Sequence, residues 1–172
     1  MSLASPVPTL NQPLHIVILA AGAGTRMNSR LAKVLQPLGG KPMLSHVLLT
    51  AEALSPAAIH IVYGYQGEVV QQHFANWQGS VLNWVEQQQQ RGTGDAVSSA
   101  LPHLPDESQV LVLYGDAPLI PQADLEQLLQ SHARLTVLST KVENPHGYGR
   151  LVRNEQGLSL IHISEPTRQI VI

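Results

Sequence analysis

The residues able to do chemistry gather in three glycine-containing stretches. The first is Leu19-Ala20-Ala21-Gly22-Ala23-Gly24-Thr25-Arg26-Met27, with a second cation, Lys33, shortly after it. Small side chains let backbone N–H groups approach an anion, and a concave run of them binds phosphate. Two cations beside such a loop suit a polyphosphate clamp. The loop is not a Walker A motif, because no Gly-Lys-Ser/Thr follows. Nor is it a dinucleotide fingerprint, because Met27 stands where the third Gly should be. A tight strand-to-helix turn with two solvated cations accounts for the same residues.

The second stretch, Tyr114-Gly115-Asp116-Ala117-Pro118, puts one carboxylate after an apolar run. One Asp plus substrate phosphates is a usual Mg²⁺ arrangement, although Asp after Gly is also an ordinary turn. The third is the amide run Gln87 to Gln90, followed by Gly92-Thr93-Gly94. Amides can read a base edge by donating and accepting; a solvated strand end has the same composition.

Other chemistries are excluded or weak. There is no Cys, so disulfides, thiolate zinc and a Cys nucleophile are absent. The eight His residues show no HxH or HExxH spacing. No Gly-x-Ser-x-Gly elbow surrounds Ser98, Ser99 or another serine. Trp77 and Trp84 read as packing residues rather than a sugar platform. Ten Lys and Arg against 12 Asp and Glu leave a net charge of -2, with no basic surplus to attract nucleic acid.

The elements that must hold these loops are legible from periodicity. Leu14 to Ala20 is a branched apolar run closed by glycine, as a strand buried on both faces reads. Pro42 precedes a helical stripe of Leu44, Val47, Leu48, Ala51 and Leu54. Strands are expected at Ala58 to Tyr63, Val81 to Val85, Gln109 to Tyr114 and Leu135 to Val142, with a sixth at Arg150 to Arg153. Helices are expected at Glu68 to Ala75, from Gly92 to about Leu101, and after Pro121 with Leu125, Leu128, Leu129 and His132 on one face. Alternating strands and helices imply an α/β class: a Rossmann-like, mostly parallel sheet with helices on both faces. Ligands then bind beyond the carboxyl ends of the strands, where strand order reverses.

Length and composition agree with one globular domain. The 172 residues are 44% hydrophobic but only 13% charged, and sixteen Gln supply much of the polarity. The apolar content is too high for disorder. The longest apolar run is far short of the ~18 residues of a spanning helix. The three prolines of residues 1–13, with no apolar h-region, read as a flexible lead-in and not a signal peptide. The expected location is the cytoplasm, with no membrane or nucleic-acid partner.

Taken in order, these motifs and Gly147-Tyr148-Gly149-Arg150 resemble one family. They look like the N-terminal uridyltransferase domain of the bacterial bifunctional UDP-N-acetylglucosamine pyrophosphorylases / glucosamine-1-phosphate N-acetyltransferases. The resemblance runs from about Leu14 to Gly157. It implies the nucleotide-diphospho-sugar transferase fold and Mg²⁺-dependent transfer of uridylyl from UTP to N-acetylglucosamine 1-phosphate, supplying peptidoglycan and lipopolysaccharide precursors. By the same resemblance Leu19, Ala20, Ala21, Gly22, Gln87, Gly92 and Thr93 hold the uridine part. Tyr114, Gly115 and Gly149 line the sugar-nucleotide site. Arg26 and Lys33 serve catalysis by binding the phosphates, and Asp116 ligates Mg²⁺. Other readings of the loops are a molybdopterin-type or other sugar-phosphate nucleotidyltransferase, and a nucleotide-binding module without turnover.

The chain departs from the family pattern in two places. Ala23 stands where many relatives carry Lys, which leaves the phosphate clamp a cation short. Past Gly157 the family domain continues with a carboxylate and Asn residues, one of them a second Mg²⁺ ligand. Here Ser164 stands where the acid is expected and Glu165 is one residue out of register. The segment 158–172 contains LSLIHISEPTR, which resembles a translated sequencing adapter and is expected to be a non-native tail. Residues 14–157 are then an incomplete, poorly active nucleotidyltransferase domain. The left-handed β-helix that carries acetyl transfer and trimerisation in the family is not in the sequence, so a homotrimer is expected only of the full-length family protein.

Overall fold

The computed structural model describes residues 12–24, 27, 29–89, 91–131, 133, 135–144 and 146, and the backbone alone of 150–153 and 159–163. The chain divides into two compact units, Met1–Arg134 and Leu135–Ile172.

In the first unit, strands β1 (Leu14–Leu19), β4 (Ala58–Tyr63), β5 (Leu82–Glu86) and β6 (Gln109–Tyr114) form one sheet. Its order is β5-β4-β1-β6, and every pair is parallel. A two-residue ribbon, β2 (Pro37–Leu38) with β3 (Lys41–Pro42), is antiparallel. The helices are α1 (Met43–Ala53), α2 (Gly67–His73), α3 (Thr93–Ala100) and α4 (Gln122–Leu129). A parallel pair requires a crossover, and helices provide those crossovers.

Both faces of the sheet are covered, which is why β1 and β4 read as continuous apolar runs. On one face Ile16, Ile18, Ile59, Ile61, Leu111 and Leu113 pack with Leu44, Val47, Leu48 and Ala51 of α1, Val70 of α2 and Leu125 of α4. On the other, Val17, Leu19, Val62 and Val85 meet Ala96 and Ala100 of α3. Burying each large aliphatic side chain contributes roughly 1.5–3 kcal/mol. The α3 face also holds two buried imidazoles, with His15 Nδ1 and His60 Nε2 hydrogen-bonded at 3.0 Å.

Glu52 at the end of α1 anchors the chain leading into β5. It accepts from the Trp77 indole N–H at 3.0 Å, and from the Ser80 backbone N–H and hydroxyl at 2.7 Å each.

The second unit contains a hairpin of β7 (Arg150–Arg153) and β8 (Ser159–Ile163), antiparallel with a register shift at Val152/Arg153. Two expectations are corrected here. Residues 135–142 lie in neither helix nor strand. The apolar content of that stretch suits a strand, but β-propensity is weak when a residue is not packed on a sheet face, and Leu135 is exposed. Arg150–Arg153 is a strand, yet it pairs with β8 rather than joining the parallel sheet. Element ends elsewhere shift by a residue or two, as frayed ends do. His132, expected on the α4 stripe, lies outside the described residues. Among the described residues no helix is long and apolar enough to cross a membrane.

Candidate active site at the strand-order switch

The order β5-β4-β1-β6 makes the chain step outward from β1 and then return to its other side. The switch point is therefore the gap between β1 and β6, where open α/β sheets bind ligands. Register brings the loop stems together: Leu19 stands opposite Val62 on one side and Tyr114 on the other. Backbone bonds continue past the strand ends. Gly115 N–H donates to Leu19 O at 2.9 Å, Ala20 N–H to Val62 O at 2.8 Å, and Tyr65 N–H to Ala21 O at 3.3 Å. Leu19, Ala20 and Ala21 are thus fixed, buried backbone at the floor of the rim.

The glycines divide by role. A Cβ on Gly115 would lie 3.1 Å from Val34 Cγ1 and 3.2 Å from Leu19 O, so this position is glycine for packing. Gly24 has φ +60°, and a Cβ there would lie 2.7 Å from Lys33 Cβ. By contrast a Cβ on Gly22, Gly92 or Gly94 would meet nothing within 4 Å. Those three positions leave backbone open to an incoming group.

Lys33 begins a 3₁₀ turn, Lys33–Leu35, held down by buried Ala32, Val34 and Leu35. Its ammonium forms an ion pair with Asp116 Oδ2, the two side chains being 29% and 21% exposed. Cation and carboxylate, from loops on either side of the switch point, thus meet at a solvent-accessible spot.

Tyr114 brings a phenol to the same rim. Its hydroxyl is buried without a hydrogen-bond partner among the described residues. Burial, with the Asp116 charge adding to it and the Thr93 side chain opposing, pushes its pKa up to about 12. The group stays a neutral donor at any ordinary pH.

At the end of β5, Gln87 is buried, and its N–H donates to Tyr63 O at 2.8 Å. Its Nε2 donates to Gly92 O at 3.2 Å and Asp95 Oδ2 at 2.8 Å. Gly92 sits at φ +118°, ψ -175°, a conformation that glycine alone takes readily, and turns the chain into Thr93 at the start of α3.

The structure therefore brings together Leu19, Ala20, Ala21, Gly22, Lys33, Tyr114, Gly115 and Asp116 around the switch point. Gln87, Gly92 and Thr93 gather at the β5–α3 turn. Arg26 and Gly149 lie outside the described residues. Asp95 was missed by sequence reading, because an acid in a first helical turn reads simply as a dipole-compensating residue. Its contact with Gln87 depends on the backbone path through Gly92. No group of three or more His, Asp or Glu suited to a metal converges among the described residues.

Comparison with known proteins agrees with this geometry. The chain is 56% identical over 148 residues to the bifunctional protein GlmU of Stenotrophomonas maltophilia, a match covering 86% of this chain and 32% of that protein. It is 57% identical over 145 residues to the GlmU of Xanthomonas axonopodis pv. citri, covering 84% and 31%. The chain thus spans about a third of the length of these relatives, and the resemblance read from the motifs is borne out. A Bacillus anthracis protein described as a glucose-1-phosphate thymidylyltransferase superposes with a TM-score of 0.77 at 20% identity, covering 89% of this chain and 65% of that one. A 4-diphosphocytidyl-2C-methyl-D-erythritol synthase from Anaerococcus prevotii does so with 0.63 at 16% identity, covering 86% and 63%. These two bear out the nucleotidyltransferase-type, mostly parallel fold. Residues 16–155 match the MobA-like NTP transferase domain, and the chain belongs to that nucleotidyltransferase family.

Proposed function

We propose that the site transfers the uridylyl group of UTP to N-acetylglucosamine 1-phosphate. A phosphate oxygen of the sugar phosphate attacks the α-phosphorus of UTP and forms a new P–O bond. The bond from the α-phosphorus to the bridging oxygen breaks, and pyrophosphate leaves with that electron pair. The observation that carries this reading is the Lys33–Asp116 pair at the switch point, beside the open backbone at Gly22. Such transfer asks little covalent work of the protein and much positioning and charge neutralisation.

Each residue then has a task. Lys33, with Arg26, neutralises the phosphates and the leaving pyrophosphate. Leu19, Ala20, Ala21 and Gly22 present backbone to the nucleotide, while Gln87, Gly92 and Thr93 hold its base. Tyr114, Gly115 and Gly149 line the space for the sugar nucleotide, the Tyr114 hydroxyl being a donor with no acceptor among the described residues. Asp116 offers a partly exposed carboxylate oxygen, which suits a Mg²⁺ held jointly with substrate phosphates. Held there by Asp116, the ion would supply further neutralisation of phosphate charge.

The test is pyrophosphate release from UTP and N-acetylglucosamine 1-phosphate by the 172-residue chain, with Mg²⁺ and with EDTA. Mg²⁺-dependent release is expected, weaker than that of a full-length relative. Equal or better release with another nucleotide and sugar phosphate would reassign the substrates, and saturable nucleotide binding without release from any pair would mark a binding module.

A further inference from the structure

We propose that Asp95 is a positioning residue that fixes which end of the Gln87 amide a nucleobase meets, so that the site selects a base presenting a ring N–H. The proposal rests on the uridylyl-transfer reading above.

The geometry is one of unambiguous hydrogen-bond polarity. Gln87 is 6% exposed, and its Nε2 carries two hydrogens. The two groups around that nitrogen are Gly92 O at 3.2 Å and Asp95 Oδ2 at 2.8 Å. A carbonyl and an ionised carboxylate can only accept. Turning the amide over would set its oxygen against two oxygens and leave two acceptors unserved, so this orientation is locked. The bond to the carboxylate is the stronger of the two in kind, since charge assistance roughly doubles a hydrogen bond.

With both Nε2 hydrogens committed, the carbonyl oxygen is the end left to address a ligand. An oxygen acceptor pairs with the N3–H of uracil. At the same place cytosine presents an N3 lone pair, and lone pair faces lone pair. An amide free to turn would pair with either base. Asp95 therefore makes a two-way reader into a one-way reader without touching the ligand.

The experiment is calorimetric titration of the 172-residue chain with UTP, CTP and 3-methyluridine 5′-triphosphate in the presence of Mg²⁺. The parent is expected to favour UTP over both others, because CTP and the methylated analogue lack the N3–H. In Asp95→Asn the new side chain can serve Gln87 with either end. UTP affinity should then fall about tenfold, the loss of one well-oriented hydrogen bond, while CTP affinity holds or rises. A purely structural Asp95 would lower both affinities together and leave their ratio unchanged, and that result overturns the proposal. A parent chain that binds the 3-methyl analogue as tightly as UTP overturns it too, without needing the variant to fold. A parent that binds no nucleotide overturns the uridylyl-transfer reading and this inference with it. Selective UTP binding by the parent, with an unchanged ratio in Asp95→Asn, overturns this inference alone.

Discussion

Lys33 and Asp116 stand 83 positions apart in the chain and form an ion pair across the gap between β1 and β6. Each side chain satisfies the charge of the other. In the proposed reaction a nucleoside triphosphate and its cation would offer both partners new ones, phosphate oxygens for the ammonium and a cation for the carboxylate.

Asp116→Asn tests the carboxylate half. It should abolish Mg²⁺-dependent pyrophosphate release while changing stability by no more than about 1 kcal/mol, the usual worth of a partly exposed pair. Assay and urea denaturation on the same sample check this. Release at the parent rate would remove Asp116 from the metal-binding role.

Gly24→Ala tests how the loop holds Lys33. The added Cβ would lie 2.7 Å from Lys33 Cβ at a backbone φ of +60°. Left-handed backbone alone costs about 1–2 kcal/mol for a residue with a Cβ, and the displaced lysine should weaken UTP binding as well. Denaturation midpoints and UTP titration should fall together; an unchanged affinity would show that the lysine stem has room to move.

Tyr114→Phe should separate stability from binding. Removing a buried hydroxyl that has no hydrogen-bond partner among the described residues relieves a desolvation cost of about 1–3 kcal/mol. The variant is expected to be at least as stable as the parent and to bind the sugar nucleotide less tightly. A less stable variant with undiminished binding would make the phenol a structural residue.

The buried imidazole pair predicts a pH dependence. Burial, then the nearby His15 and His103, hold the His60 pKa below its ordinary 6.5. The unfolded chain therefore binds more protons than the folded one just below pH 6.5. Stability is full above that value and is lost as pH falls toward the depressed folded pKa. Urea midpoints measured from pH 7.5 down to 5.5 should decline, and His60→Phe should flatten the slope. An equal slope in both proteins would place the titration elsewhere.

Glu52→Ala should destabilise by about 1–3 kcal/mol, because it strands the partly buried Trp77 and Ser80 donors. Burial of Glu52 pushes its pKa up, but the hydrogen bonds from Trp77 and Ser80 outweigh it and leave the carboxyl below its usual 4.5. Its stabilisation is then present above the ordinary carboxylate pKa and lost in stronger acid. A variant with an unshifted urea midpoint would show that those donors find water instead.

Local pattern determined a good deal of this protein. The branched apolar run at Leu14–Leu19 reads as a strand covered on both faces, Ala58–Tyr63 reads as a strand, and the stripe through Leu44, Val47, Leu48 and Ala51 reads as a helix, and all three form. The loops after Leu14–Leu19 and Gln109–Tyr114, with Gly22, Lys33 and Asp116, stand out as candidates because small, cationic and carboxylate residues are few and grouped, although ordinary turns with solvated charges have the same composition. What the tertiary structure decided is adjacency. Nothing local states that β6 returns to the side of β1 rather than extending beyond β5, so nothing local states that Lys33 meets Asp116. The stretch 135–142 and the strand Arg150–Arg153 show the same limit: β-propensity belongs to the residues, but whether it becomes a strand, and beside which neighbour, is settled across the chain. The orientation of the Gln87 amide is the finest case, since two acceptors gathered by the Gly92 turn settle it and the run of four glutamines carries no trace of it.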